Sequence, residues 1–516
     1  MIHIRHFVIY MTVLLAAAEM SVFASGSESK RQEKPPNILF VMSDDHTTQA
    51  IGVYGSRLAK LNPTPNIDAL AKNGMRFDRV FCNNSICTPS RASIITSQYS
   101  QKNGVLDLND HLPPDKQYLP MEMKKAGYQT VIIGKWHLKS EPAAFDYYCV
   151  LPGQGKYYNP DFRIQGDKPW PENVIQKKGM HSSDAITDLS LEWLKDKRDK
   201  RKPFFLMHHF KAPHDMFNNA KRYDEYLEDV TIPEPANLFN PPAGSDGSRG
   251  MGSGVGRKHS PWGLASNLHI PRDLDDRAYA QASYQKYLKR YLRCVKGVDD
   301  NIKRLIDYLR ETGELDNTVI IYTGDQGYFL GEHDLMDKRW MYEESFRMPF
   351  VVHAPKIIKA GSTNNWLINN TDFAPTIMEL AGIKKTPEYM QGRSFAAALK
   401  GEAKPRDWRK VTYYRYWMHM AHNLRVPAHF GIRGERYKLI FFYGCTPNGK
   451  NNTPVAWEFY DLENDPNEMH NQYSNPEYGK LITEMKLELK RERTKLNETD
   501  EKYPAIQAII DSNWSN

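Results

Sequence analysis

The chain has 516 residues, a formal net charge of +7 and five cysteines. A chain of this length can bury a large core, and we expect one large domain plus a smaller one. The modest positive charge fits an anionic ligand, but no basic stripe with interleaved aromatic residues is present, so we expect no nucleic-acid partner.

The first segment of the chain, residues 1–24, has the pattern of a secretory signal peptide. Basic residues precede an apolar run over 7–18, and small residues at 22–24 provide a cleavage site. The apolar run is too short for an ordinary transmembrane helix, and we expect no transmembrane segment in the mature chain. Residues 25–35 predict a flexible tether. We therefore expect an exported protein, either periplasmic or extracellular.

Four apolar runs predict buried strands, and polar side chains follow the carboxyl end of each run. The runs and their polar side chains are 37–42 with Asp44 and Asp45, 130–133 with Lys135 and His137, 203–207 with His214, and 318–322 with Asp325 and Gln326. Helix-like segments such as 276–311 separate them, which indicates an α/β fold with a large mixed, mostly parallel sheet flanked by helices. Ligands bind beyond the carboxyl ends of strands in such sheets, so these polar groups should converge.

The first polar cluster allows two interpretations. The adjacent carboxylates of Asp44 and Asp45 repel each other unless a cation joins them, and oxygen ligands suit a hard metal ion. Asp is also common in helix caps and turns. The two residues alone leave both interpretations open.

Two segments in the middle of the chain have distinctive composition. His208 and His209 alternate in direction on the third strand, so at most one faces the cleft and the other should have a partner in the core. Residues 240–263 are rich in Gly, Ser and Pro. They predict a mobile surface loop, either a lid near the site or a disordered insertion.

The pattern changes after about residue 405. Residues 412–417 and 429–443 are strand-like, and 478–496 predict an amphipathic, charged helix. We therefore divide the mature chain into a large domain over 36–405 and a smaller C-terminal α+β subdomain over 406–516, which carries an antiparallel sheet.

The segment Cys87-Thr88-Pro89-Ser90-Arg91 lies between an extended run and a helix-like run. Pro89 suits the first turn of a helix, so Cys87 should lie at a helix N-terminus, where free backbone N–H groups favour an ionised or oxyanionic group. Arg91 adds positive charge at the same end. A lone cysteine there would more often be structural, but the combination with the polar clusters favours a functional site.

The pattern C-x-P-S-R at 87–91 resembles the signature of type I sulfatases, the formylglycine-dependent members of the alkaline-phosphatase-like superfamily. The likeness extends from about residue 36 to about residue 472 and makes 36–405 the expected catalytic domain. In that family a formylglycine-generating or sulfatase-maturing enzyme oxidises the cysteine, and the hydrated aldehyde is the nucleophile. The chain departs from the family at 92–97, where many members have Leu-Thr-Gly, and at Gln326, where Asn or His is common.

The resemblance implies a role for each polar residue. The groups are the calcium ligands Asp44, Asp45, Asp325, Gln326 and converted Cys87, the residues Arg91 and His137 that hold and tune the nucleophile, and the sulfate-binding residues Lys135, His214 and Lys338. His214 would also donate the proton to the leaving oxygen. The family then expels sulfate from a covalent intermediate and regenerates the aldehyde.

The expected substrates are sulfated carbohydrates of glycosaminoglycan or mucin type, and the region 325–347 resembles sulfatases that act on 6-O-sulfated N-acetylglucosamine. Side chains that could contact the sugar, or could equally be packing or surface residues, are Trp340, Arg347, His422 and Arg425. Two alternatives stay open: a phosphatase- or phosphodiesterase-like hydrolase of the same superfamily, and an inactive glycan-binding homologue.

The odd cysteine count leaves at least one thiol unpaired. If Cys87 is converted, four cysteines are left that could form disulfides. They are Cys82, Cys149, Cys294 and Cys445.

Overall fold

The structure, a computed structural model, describes residues 34–256 and 268–515. The predicted signal peptide (1–24) and nearly all of the predicted tether (25–35) lie outside these residues. Among the residues described, no helix is long and apolar enough to cross a membrane.

Strands form one large sheet, one four-stranded sheet and one short hairpin. The strands in chain order are β1 (Asn37–Asp44), β2 (Met75–Phe81), β3 (Gln129–Lys135), β4 (Tyr147–Leu151), β5 (Asp161–Ile164), β6 (Val174–Gln176), β7 (Phe204–Pro213), β8 (Thr318–Gly324), β9 (Phe329–Leu330), β10 (Met336–Asp337), β11 (Arg347–His353), β12 (Ser362–Asn364), β13 (Ile368–Asn369), β14 (Thr412–Tyr416), β15 (His429–Arg433), β16 (Tyr437–Phe442) and β17 (Ala456–Asp461).

The large sheet has the order β12-β2-β11-β8-β1-β7-β3-β4-β5-β6, with β13 paired to β2. Its centre, β8-β1-β7-β3-β4, is entirely parallel, whereas β11, β5 and β6 pair antiparallel. Every residue of β1, β7 and β8 is buried, because helices cover both faces of the sheet. The predicted mixed, mostly parallel sheet is confirmed.

Helices pack on both faces of this sheet. The helices are α1 (Pro65–Lys72), α2 (Cys87–Thr96), α3 (Ser100–Asn103), α4 (Tyr118–Lys125), α5 (Ser182–Glu192), α6 (Asp276–Glu311), α7 (Glu343–Phe346), α8 (Phe373–Leu380), α9 (Ala396–Leu399), α10 (Gly479–Leu496) and α11 (Pro504–Asn513). Apolar residues of α2, α4 and α8 belong to one core cluster, and those of α1, α5 and α6 belong to the cluster on the opposite face. The long helix predicted over 276–311 is confirmed.

The C-terminal sheet has the order β14-β15-β16-β17 and is antiparallel throughout, as predicted. Its apolar side chains form a third core cluster with residues of α10 and α11. Helix α10 packs across β14, β15 and β16.

The part of the predicted surface loop that the structure describes, 240–256, makes hydrogen bonds to the C-terminal region. The Ser245 N–H donates to Glu458 Oε1 at 2.8 Å, and the Gly252 N–H donates to the Arg425 carbonyl oxygen at 2.9 Å. Val255 is fully buried. This part is a loop with exposed side chains such as Asp246 and Arg249, as predicted, but these bonds anchor it to the rest of the fold. Residues 257–263 of the predicted loop lie outside the described residues.

All five cysteines are buried, free thiols. The disulfides considered for four of them are therefore not formed. Apolar clusters on both faces of the sheet supply the cohesion that small secreted domains obtain from cross-links.

Candidate active site

The acidic residues after β1 and β8 meet because these strands are parallel neighbours. Ser43 lies opposite Gly324 in the register, so Asp44 and Asp45 come beside Asp325. The Asp45 N–H donates to Asp325 Oδ1 at 3.1 Å. A Cβ on Gly324 would lie 2.6 Å from the His46 carbonyl oxygen, so only glycine permits this close approach.

Arg91 connects three strands from its place on α2. Its Nε and Nη2 each lie 3.0 Å from Asp325 Oδ2, and its Nη1 donates to the Lys135 carbonyl oxygen at 2.7 Å. Nη2 also lies 3.8 Å from Asp44 Oδ1. The guanidinium thus fixes the ends of β8, β3 and β1 relative to the helix that carries Cys87.

Two buried lysines neutralise the acidic pair. Lys135 Nζ donates to Asp44 Oδ2 and, at 2.5 Å, to Gln154 Oε1. Lys338 Nζ donates to Asp45 Oδ1. Burial opposes the charge of Lys338, but Asp45 and smaller contributions from other neighbours such as Asp44 together raise the pKa of the ammonium well above its usual value.

Burial and neighbouring charges shift the pKa values of the three carboxyl groups in different directions. Burial alone would raise the pKa of Asp44, but Lys135 and then His214 hold it well below its usual value. Burial raises the pKa of Asp45 in spite of Lys338. Burial and the neighbouring charge of Asp44 raise the pKa of Asp325 to about 7. A positive charge added beside these three carboxyl groups would therefore stabilise their ionised forms.

Cys87 is the first residue of α2 and is buried, within one residue of its predicted place before the helix. Thr88 Oγ1 donates to the His137 carbonyl oxygen at 3.0 Å, which holds this helix end beside the β3 end. Burial, and then the charge of Lys135, lowers the pKa of His137 well below its usual value, so its imidazole is neutral.

The prediction that the helix start favours an ionised group is wrong for the unmodified thiol. Burial raises the pKa of Cys87, and the charges of Lys338 and Lys135 do not offset it. The unmodified side chain is therefore a neutral thiol at neutral pH, and a thiol is a weaker nucleophile than a thiolate.

The histidines of the third run separate as predicted. His208 Nδ1 hydrogen-bonds Ser190 Oγ at 2.8 Å, on the α5 side. His209 Nδ1 donates to the Lys135 carbonyl oxygen at 3.1 Å, on the side of the site. His214 lies one residue beyond β7, where its Nδ1 contacts the Asp215 carboxylate and its Nε2 lies 3.8 Å from Asp45 Oδ2.

A pocket of about 380 Å³ opens onto these groups. Its lining combines Cys87, His214 and Lys338 with residues that the sequence interpretation missed. Those residues are Ile86, Leu108, Gln154, Asp215, Met336, Asp337, Arg339 and Leu424. Within the pocket, Arg339 Nε donates to Asp337 Oδ2 at 2.7 Å.

Of the side chains considered for sugar contact, His422 lines the pocket. Trp340 is only 2% exposed and stacks on Tyr342 and His429, so it is a packing residue. Arg347 lies over the Tyr54 ring, away from the pocket lining.

The oxygen atoms of the cluster fit a divalent cation. Gln326 Oε1 and Asp44 Oδ1 are buried and have no hydrogen-bond partner among the residues described, and Gln326 Nε2 donates to Asp45 Oδ1. The potential metal-ligand atoms of Asp44, Asp45 and His214 lie within 4.8 Å of one another. Carboxylate and amide oxygens suit a hard ion such as Ca²⁺.

Comparisons with known proteins found family models and relatives that match most of the chain. The Sulfatase family model matches residues 36–383, and the model "N-sulphoglucosamine sulphohydrolase, C-terminal" matches 331–495. An N-acetylglucosamine-6-O-sulfatase of Bacteroides thetaiotaomicron is 40% identical over 541 residues, which cover 96% of this chain and 93% of the relative. An ulvan-active sulfatase of Formosa agariphila is 28% identical, over 89% of this chain and 80% of its own.

A solved structure in complex with its substrate, D-glucosamine-2-N,6-O-disulfate, is similar in fold and sequence. It superposes with a TM-score of 0.83 at 38% identity and covers 91% of this chain and 100% of its own. The similarity therefore includes both the large sheet and the C-terminal sheet.

Proposed function

Since this chain belongs to the sulfatase family and is a sulfuric ester hydrolase, we propose that it removes the 6-O-sulfate of N-acetylglucosamine or glucosamine units in sulfated glycans. The relative at 40% identity is named for this sulfate position, and the similar solved structure holds a 6-O-sulfated glucosamine. A sulfated carbohydrate is thus the substrate class that both comparisons support.

The observation that carries the proposal is the composition of one pocket. Cys87, His214 and Lys338 line it together. His214 and Lys338 contact the buried Asp45 carboxylate, and Asp44 lies beside Asp45 and His214. A cysteine, an imidazole and a cation around one cavity provide the positions for a nucleophile, a proton donor and an anion-binding group.

The lysines bind the sulfate group in this proposal. Lys135 and Lys338 are buried ammonium groups whose charge favours a tetrahedral anion, most strongly as negative charge develops on the leaving oxygen. A calcium ion held by Asp44, Asp45, Asp325 and Gln326 would add positive charge for the same oxygens.

The proposal includes conversion of Cys87 to formylglycine, which supplies a hydrated aldehyde as nucleophile. The raised pKa of the unmodified Cys87 thiol disfavours the alternative of a thiolate nucleophile. The His137 carbonyl oxygen accepts from Thr88 Oγ1, next to position 87, and the Arg91 guanidinium ties the same helix to the Lys135 carbonyl oxygen. A formylglycine-generating or sulfatase-maturing enzyme is the implied partner, and export to the periplasm or the extracellular space belongs to the same proposal.

His214 is the proposed proton donor to the leaving sugar oxygen. The Asp215 carboxylate contacts its Nδ1, which leaves Nε2 as the nitrogen available for the leaving oxygen. The pocket lining adds the Asp337–Arg339 pair and His422, and such polar groups suit the hydroxyls of a sugar ring.

The test is a panel of defined sulfated saccharides with product mass as the readout. The panel contains N-acetylglucosamine 6-sulfate, its 3-sulfate isomer, N-acetylgalactosamine 6-sulfate, glucosamine 2-N,6-O-disulfate, and matched aryl sulfate and aryl phosphate. We expect sulfate release from the two 6-O-sulfated glucosamine sugars. Release from another position only would refute the proposed substrate, and release of phosphate but not sulfate would favour the phosphatase alternative.

A further inference from the structure

The turn after β1 contains a strained residue at the centre of the acidic cluster. Asp45 has a φ of 65°, in the left-handed region that side chains other than glycine seldom adopt. Side chains alternate along an extended strand, so consecutive carboxylates would point to opposite faces. The left-handed turn interrupts this alternation. As a result, the potential metal-ligand atoms of Asp44, Asp45 and His214 lie within 4.8 Å of one another.

Both backbone groups of Asp45 are held from outside the turn. Its N–H donates to Asp325 Oδ1 at 3.1 Å, and its carbonyl oxygen accepts from the Tyr291 hydroxyl at 2.6 Å. The same hydroxyl accepts from the Thr47 N–H at 3.2 Å. One phenol from α6 thus bridges the two ends of the turn.

The Tyr291 ring is itself fixed by packing. It is fully buried, it stacks on Tyr328 with 16° between the ring planes, and it contacts Phe217 and Tyr287. The hydroxyl therefore has little freedom to follow the turn if Asp45 relaxes. A rigid partner of this kind can hold a metal ligand in its productive orientation.

We infer that Tyr291 is a positioning residue of the calcium site, whose hydroxyl holds Asp45 in the left-handed conformation that brings its carboxylate beside Asp44. This inference rests on the calcium site of the proposed function. Tyr291 touches neither substrate nor ion. It acts through the backbone of the Asp45–Thr47 turn.

Tyr287, one turn earlier on α6, is a matched control. It is also fully buried, and its hydroxyl donates to a backbone carbonyl oxygen, that of Phe329, at the same distance of 2.6 Å. Tyr287→Phe and Tyr291→Phe therefore each remove one buried tyrosine hydroxyl from the same helix. Only Tyr291→Phe releases the turn at Asp45.

The experiment measures calcium affinity and thermal stability for the wild-type full chain and both variants. Calcium is titrated into protein treated with chelator, by calorimetry and by the calcium-dependent shift of the unfolding midpoint. We expect Tyr291→Phe to weaken calcium binding by about 10- to 100-fold, while Tyr287→Phe keeps wild-type affinity. Both unfolding midpoints should fall in chelator, that of Tyr291→Phe by more, because the Tyr291 hydroxyl makes two hydrogen bonds and the Tyr287 hydroxyl makes one. Saturating calcium should restore turnover to Tyr291→Phe.

Three results would overturn the inference or its basis. Wild-type calcium affinity in Tyr291→Phe would refute the positioning role, and equal loss of affinity in both variants would show a general effect of removing a buried hydroxyl. If the wild-type protein binds no calcium, the metal site of the proposed function fails, and the inference fails with it. If Tyr291→Phe folds too poorly to titrate, Tyr328→Leu, which removes the ring stacked on Tyr291, replaces it. Weaker calcium binding than in Tyr287→Phe is then expected, and wild-type affinity would refute the positioning role.

Discussion

Replacing Arg91 by Met tests whether this guanidinium holds the acidic cluster together. Methionine keeps much of the apolar stem but removes the two 3.0 Å contacts with Asp325, the 2.7 Å hydrogen bond to the Lys135 carbonyl oxygen and the charge near Asp44. Removing one partner of a buried ion pair costs about 3–5 kcal/mol. Protonation of Asp325 limits the loss, because its pKa is already raised to about 7. We expect the free energy of unfolding to fall by about 3 kcal/mol near pH 7.

The assay is denaturant-induced unfolding in chelator and in calcium, with Arg415→Met as the control. Arg415 is similarly buried and pairs with Asp500 at 2.7 Å in the C-terminal region, away from the acidic cluster. Both variants should be destabilised in chelator. The gain in stability on adding calcium should be larger for Arg91→Met, because the ion replaces the missing charge beside Asp325 and Asp44. Wild-type stability of Arg91→Met, or equal calcium gains in the two variants, would refute the reasoning.

Three further predictions follow from the site and the core. Cys87→Ala should abolish sulfate release and leave the unfolding midpoint near that of the wild type, and a variant with most of its activity would exclude Cys87 as the nucleophile. Chelation should lower both activity and the unfolding midpoint, with recovery on adding calcium; indifference to chelator would contradict the metal site. Burial raises the pKa of Glu498 to about 7 in the folded protein, despite Arg415, whereas the pKa is about 4.3 in the unfolded chain. The protonated Glu498 side chain therefore contributes fully to stability below about pH 4.3. This contribution is lost as the pH rises to about 7. Glu498→Gln keeps an acceptor for the Gln101 N–H and should be more stable at pH 8, by up to about 3 kcal/mol; an unchanged stability–pH curve would show that Glu498 is ionised in the fold.

The parallel centre of the sheet could be predicted because its physical cause is local in sequence. Continuous apolar runs at 37–42, 130–133 and 318–322 are required by strands buried on both faces. Polar groups just after them can converge without burying charge inside the sheet. The same reasoning predicts that Asp44, Lys135 and Asp325 lie at one edge of the sheet, where Arg91 contacts all three.

Other features depend on tertiary packing, and the sequence carries little signal for them. Gln154 is a single amide in a turn, and only its 2.5 Å contact with Lys135 identifies it. The Gly- and Ser-rich composition of 240–256 is typical of exposed loops, but the Glu458 carboxylate and the Arg425 carbonyl oxygen anchor this segment. The raised pKa of Cys87 reflects burial, which a local motif cannot reveal.

The charges of the site explain why metal binding and sulfate binding should depend on each other. Asp44, Asp45 and Asp325 carry three negative charges when ionised, and Lys135, Lys338 and Arg91 carry three positive ones. These pairs neutralise each other, so the lysines alone offer little net charge to an anionic ester. A divalent ion on the same carboxylates would leave an excess of two positive charges, which a sulfate ester of charge −1 can occupy. The divalent ion should therefore bind more tightly when the sulfate ester is bound, and the ester more tightly when the ion is bound. The two affinities increase by the same factor.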